Sequence, residues 1–256
     1  MTAELQADDF WSPLRRLTPS RIGLGRIGDG VRTSDVLEFQ AAHARARDAV
    51  HVPLDVDALR EQLRSLGLGE PSVVASRARD RAEYLRRPDL GRLPCSLDAV
   101  PAGSFDVGFV LADGLSGLAV AHHGAALVSA LIDRFGGRYS LAPPVIATQA
   151  RVAIGDPIGE RLGVEVVLVL VGERPGLSVS DSLGVYLTHR PRPGRLDSER
   201  NCVSNIHAHG LGYPQAAAIV AALVDGARRL GASGVTLKDE SRALADPGGH
   251  PGEVAS

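Results

Sequence analysis

From Thr33 the apolar positions fall at helical spacing. Val36, Phe39, His43 and Val50 share a stripe, and Asp35 with Glu38 three residues on forms a capping pair. A second helix is predicted from about Asp57, with Leu59, Leu63 and Leu66 inward and Gly67 closing it. "SRARDRAEYLRRPDLGR" predicts a third short helix, stopped by Pro88. Residues 1–20 hold two prolines and no clean period, so an irregular arm is expected there. Residues 1–100 thus read as a mostly helical N-terminal region.

The pattern changes after Pro101. "FDVGFVLADG" predicts a buried strand ending in a turn, and residues 116–135 a helix. Residues 144–149 predict a strand and "GDPIGERLG" a short helix. "VEVVLVLVG" is apolar throughout, as in a strand of a parallel sheet covered on both faces. "GVYLTH" predicts a further strand, and 214–231 a last helix rich in Ala and Val. Strands alternating with helices indicate a Rossmann-like, doubly wound α/β domain over residues 101–240. The remaining 241–256 carry little to bury and are expected to be a disordered tail.

Composition narrows the function classes. Aromatics are only 4%, so the core is built from Val, Leu, Ala and Ile. A formal charge of −2 offers no electrostatic reason to bind nucleic acid or anionic lipid. Two cysteines, Cys95 and Cys202, are too few for a disulfide framework and fit a reduced, cytoplasmic compartment. The N-terminal "MTAELQADDF" has no apolar core of a signal peptide, and the longest apolar run is too short to cross a bilayer.

"RIGLGRIGDG" contains G-x-G-x-x-G at Gly23, Gly25 and Gly28. A dinucleotide cradle needs a strand before the first glycine and a helix opening at the last. Here "SPLRRLTPSRI" precedes it and another turn, "DGVRT", follows, so an arginine-flanked turn is expected and no NAD site.

In open α/β sheets ligands sit beyond the carboxyl ends of the strands, which selects three loops. In "ADGLSG", Ser116 stands at a strand-to-helix turn; a hydrolase elbow G-x-S-x-G would need glycine where Leu118 is. Asp113 is the alternative there, as a helix cap. In "VGERPGLSVSDSLG", Glu173 follows an apolar strand and either pairs with an arginine or accepts hydrogen bonds from a ligand. In "RNCVSNIHAHG", a polar loop before the last helix, Cys202 is either a structural thiol or a nucleophile lacking an oriented His–Asp pair. His207 and His209 are too few for zinc. "NIHAHG" departs from the cobalt-binding D-x-H-x-x-G by Asn205.

"RVAIGDPIGE", "VLVGERPGLSVSDSLGVY" and "RNCVSNIHAHG", in that order, closely resemble the small subunit of ethanolamine ammonia-lyase. "RIGLGRIGD", "AHARARDAVH", "YLRRPDLGR" and "VLADGLS" each have a counterpart there too. The resemblance covers roughly residues 10–238.

The resemblance implies an enzyme that converts ethanolamine to acetaldehyde and ammonia with adenosylcobalamin. Homolysis of the cobalt–carbon bond gives a radical that takes hydrogen from the substrate. Substrate and radical steps belong to a large barrel subunit; the small subunit clasps the corrin from below at the interface. It implies cobalamin contacts at Val152, Glu173 and Cys202, with no catalytic residue and no metal ligand in this chain. Dimethylbenzimidazole stays on cobalt, so no histidine ligand is needed. It also implies a cytoplasmic hetero-oligomer, free or within a bacterial microcompartment. Six arginines between Arg77 and Arg92, against three acids, either face the partner subunit or form a solvated helix face. The alternative is a stand-alone α/β hydrolase-like enzyme using Ser116.

Overall fold

The computed structural model describes residues 10–26 and 28–238. The expected disordered tail lies outside the described residues. The chain is mixed α/β around one six-stranded sheet of order β1-β3-β2-β4-β5-β6.

The N-terminal region is helical in large part. It holds α1 (Trp11–Arg15), α2 (Thr33–His51), α3 (Val56–Arg64) and α4 (Arg81–Arg86). Asp55 caps α3 by accepting from Ala58 N–H at 3.0 Å, and Leu59 and Leu63 are buried as expected. Asp35 is not the cap of α2; Arg32 precedes the helix and makes no side-chain cap bond. The helix buries Ala42 and Ala49, while Val36, Leu37 and Phe39 stay exposed. Within this stretch Ser72–Ala75 forms strand β1, paired in parallel with β3 (Val145–Thr148). β1 is a strand within the stretch read as mostly helical, and it joins that stretch to the sheet.

β2 (Phe105–Ala112) and β4 (Val164–Gly172) pair in parallel at the centre, and β3 flanks β2. β4 alternates its apolar side chains into two cores, so both faces of the sheet must be covered. One core gathers Val166, Leu168 and Leu170 with α3, α5 (Gly117–Phe135) and α7 (Tyr213–Leu230). The other gathers Val167, Val169 and Val171 with Ile158 and Leu162 of α6 (Gly155–Leu162). Left-handed glycines at Gly136, Gly163 and Gly231 end α5, α6 and α7.

The expected Rossmann-like, doubly wound arrangement needs correction on the far side of β4. β5 (Leu183–His189) runs antiparallel to β4, and Arg200–Ile206 forms a sixth strand, β6, antiparallel to β5. The sheet is therefore mixed. "RNCVSNI", read as a loop, is an edge strand whose outward positions are polar and exposed. Among the described residues no helix is long and apolar enough to cross a membrane.

Candidate functional site

At the carboxyl end of β4 the meander leaves one sheet face uncovered. Gly155 and Gly159 bring α6 against Val169 and Val167, but the helix is eight residues long and covers little of β5 and β6. Above it opens a cleft of about 620 Å³. Its walls include Tyr84, Arg151, Val152, Glu173, Arg174, Tyr186 and Arg200.

Each wall is fixed by identifiable contacts. Asp113, at the end of β2, does not cap α5. It reaches across to accept from Gln149 N–H at 2.8 Å and Ala150 N–H at 2.9 Å, at the exit of β3. Burial pushes its carboxyl above the usual range, against those two hydrogen bonds and the Arg81 charge 3.7 Å away. The pinned turn delivers Val152, which opens a 3-10 turn over Val152–Ile154 and is half-buried. Tyr84 is fully buried beneath it and donates to Ala150 C=O at 3.2 Å.

Glu173 is the first residue beyond β4. Its Oε2 accepts from Ser182 Oγ at 2.5 Å and from Asn205 N–H at 3.4 Å. No arginine pairs with it, and its Oε1 has no hydrogen-bond donor among the described residues. Tyr186 of β5 stands opposite Cys202 of β6 and lines the same cleft as Glu173 and Val152. Burial first, then the Cys202 sulfur and the Glu173 charge, push the Tyr186 phenol up to about 12. Cys202 is exposed, not a buried structural thiol. The protein shielding its sulfur still pushes the thiol up, so it stays protonated near neutral pH and is not an activated nucleophile. Val152 and Glu173 therefore share one cleft, and Cys202 joins them through Tyr186.

The floor is closed by an ion pair that sequence reasoning missed. Arg200 is 7% exposed, and its two terminal nitrogens each stand 2.7 Å from an oxygen of Asp156, with Thr188 Oγ1 at 2.8 Å. Tyr186 was equally unmarked. Strand alternation in "GVYLTH" was the one available signal that Tyr186 and Thr188 share a face.

The other sequence candidates fall into structural roles. Ser116 is fully buried and caps α5: its Oγ accepts from Ala119 N–H at 3.2 Å and donates to Ser180 C=O at 3.0 Å. No histidine hydrogen-bonds it among the described residues. His207 is buried and bonds Asn205 Oδ1 at 2.9 Å. Gly23, Gly25 and Gly28 all have positive φ, and residues 21–26 form no helix or strand. A Cβ at Gly23 would stand 2.0 Å from the Trp11 ring, so the indole packs directly on its backbone. Among the described residues no strand precedes this stretch, and α2 begins only at Thr33. Arg81 is not a solvated residue: it donates to Val50 C=O at 2.7 Å and Gly114 C=O at 2.8 Å. Arg79 and Arg87 pair with Glu83 and Asp89 at the surface.

Comparison with known proteins places the whole described chain in one context. A family profile described as ethanolamine ammonia-lyase light chain (EutC) matches residues 8–238. The ethanolamine ammonia-lyase small subunit of Rhodococcus erythropolis is 61% identical over 236 residues, 92% of each chain. That of Ralstonia nicotianae is 48% identical over 241 residues, 90% of this chain and 88% of the relative. That of Azotobacter vinelandii is 47% identical over 253 residues, 94% and 93% of the two chains.

Proposed function

Because the chain belongs to the ethanolamine ammonia-lyase light-chain family, we propose that it clasps adenosylcobalamin against a large catalytic subunit. It is the small subunit of an ammonia-lyase, one part of a complex. The observation that carries the cofactor reading is the cleft at the end of β4, where Glu173 offers a carboxylate oxygen with no donor among the described residues.

The residues present fit the group. A corrin is a broad disc rimmed by amide side chains, and it needs acceptors around an open, partly apolar face. Glu173 Oε2 is occupied by Ser182 and Asn205, which aim the carboxylate and leave Oε1 to accept an amide N–H. Val152 supplies a half-buried apolar contact on the opposite wall. Cys202, protonated and exposed beside Tyr186, supplies a weak S–H donor rather than a nucleophile. When bound, the cofactor supplies radical chemistry from its weak cobalt–carbon bond.

The cleft is too small to enclose a cobalamin, so a second chain must complete the enclosure and exclude water. Val36 and Phe39 support the N-terminal region as part of that contact, since α2 leaves both exposed along one surface groove with Val31 and Leu177. Glu173, the carboxylate with an open oxygen in this cleft, is assigned to the cofactor, and among the described residues no histidine lines the cleft. Ethanolamine binding and the radical steps therefore fall to the large subunit. Ser116, bonded on both sides in the core, gives no support to a hydrolase.

Co-expression with the large subunit tests the proposal. The two chains are expected to co-purify and to bind adenosylcobalamin together, and ammonia release from ethanolamine is expected to require both. Full ammonia release by the large subunit alone, or no cobalamin retained by the pair, would overturn it.

A further inference from the structure

We propose that His122, His123 and Asp181 form a binding site for a divalent transition-metal ion of the zinc type, tying the β4–β5 loop to helix α5. The three ligand atoms lie within 4.8 Å of one another. His122 Nδ1 and His123 Nε2 each stand 3.2 Å from the same Asp181 Oδ2. Ligand atoms around a tetrahedral zinc ion with bonds of about 2.0–2.1 Å are separated by roughly 3.3–3.4 Å. The two imidazole–carboxylate separations are already close to that spacing.

Adjacent residues on a helix point about 100° apart and do not normally share a ligand. These two meet because they use different ring atoms. His122 turns its near nitrogen, Nδ1, toward Asp181, and His123 extends its far nitrogen, Nε2. The second ring nitrogen of His123 is also held: Nδ1 stands 2.6 Å from the Tyr213 hydroxyl at the start of α7. A ligating histidine is ordinarily fixed in this way through its other nitrogen. The His123 side chain is 7% exposed and that of His122 52%, so one ligand is locked in the wall and the other opens to solvent. The open side is where an ion enters and where water completes its shell. The ligand set is two imidazoles and one carboxylate, which suits zinc or cobalt(II) rather than calcium or magnesium.

Asp181 lies on the loop that leaves β4 at Glu173 and returns at Ser182. An ion here would anchor that loop to α5, beside the Ser116–Ser180 bond. The metal site does not rest on the function proposed above.

The test uses the full chain stripped with a chelator and titrated with zinc by calorimetry and with cobalt(II) by visible absorption. One saturable ion per chain is expected, with a nitrogen–oxygen cobalt spectrum lacking thiolate charge transfer. His122→Ala, His123→Ala and Asp181→Ala are each expected to weaken binding by roughly a hundredfold or more, and Tyr213→Phe by about tenfold. Cys202→Ser is expected to change nothing. His122 is half exposed, so its variant keeps the fold, and circular dichroism of metal-free protein checks this. Absence of saturable binding overturns the proposal. So does binding that survives His122→Ala and Asp181→Ala unchanged, which would leave the three groups as a hydrogen-bond network only.

Discussion

Glu173 lies over the bare backbone of Gly184: a Cβ at position 184 would stand 2.8 Å from Glu173 Oε1. The clash is with the free end of a side chain, so the fold can absorb it, but the carboxylate cannot keep its place. Gly184→Ala is expected to leave the melting temperature within a few degrees of wild type. It should weaken adenosylcobalamin binding by the assembled complex several-fold or more. Equilibrium cofactor titration beside thermal melting separates the two effects. A variant that binds cofactor like wild type would show that the position of Oε1 is unimportant.

Glu173→Ala removes the acceptor itself. Losing one charged acceptor costs about 1.5–3 kcal/mol, or roughly ten- to a hundredfold in cofactor affinity. Apparent ethanolamine affinity at saturating cofactor is expected to hold, because the other chain carries the substrate. Ammonia release, with each ligand titrated in turn, reads both. An unchanged cofactor curve would remove Glu173 from the site, and failure to co-purify would assign it to assembly.

Ser116→Ala takes away the cap of α5 and the bond to Ser180 C=O. Cap removal is expected to cost about 1 kcal/mol of stability. Deamination by the assembled complex should stay within a few fold of wild type. A loss of roughly three orders of magnitude or more, with fold and complex intact, would mark a nucleophile instead.

These residues show where the sequence was readable. The runs in β2 and β4 and the long helices α5 and α7 announce themselves through apolar periodicity and closing glycines. β1 does not: it has four residues, and its partner Val145–Thr148 lies far along the chain. β6 hides for a different reason. As an edge strand it alternates buried and exposed positions irregularly, and "RNCVSN" reads as polar. Glu173 was visible because a charge at the end of an apolar strand is conspicuous. Tyr186 was not, since its meaning depends on the hairpin that sets it opposite Cys202. His123 and Asp181 meet across 58 residues, a pairing no local spacing encodes.

Arg200 and Asp156 are buried together, so removing either strands a charge. Arg200→Met is expected to lose about 3–5 kcal/mol. The double variant Arg200→Met with Asp156→Leu should recover most of that, since no charge remains buried. Urea denaturation of both decides it. A single variant as stable as wild type would mean that the pair is solvated in solution.

Asp106 accepts from the Ser140 N–H and hydroxyl, both at 2.7 Å, and pairs with Arg228 at 2.7 Å. Partial burial acts to raise its carboxyl, but these partners outweigh it and hold the value below the usual 3.8. A lowered folded value means stability that is fully present above the unfolded pKa and lost as pH falls through the folded one. Asp106→Asn should therefore melt lower than wild type at pH 7, and the gap should close as pH falls through the lowered folded value of Asp106. A gap that persists there would point to lost packing rather than charge.

The place of β1 in the sheet has a consequence for biosynthesis. Its one neighbouring strand among the described residues, β3, begins at Val145, while β1 ends at Ala75, so 69 residues lie between them. At about 5–20 residues per second on the ribosome, β1 emerges several seconds before the strand it joins exists. Throughout that interval the nascent chain presents Val73 and Val74 with both edges unpaired. Slowing translation between the two strands should lengthen the window for aggregation or chaperone capture, although no contact of the finished protein has changed.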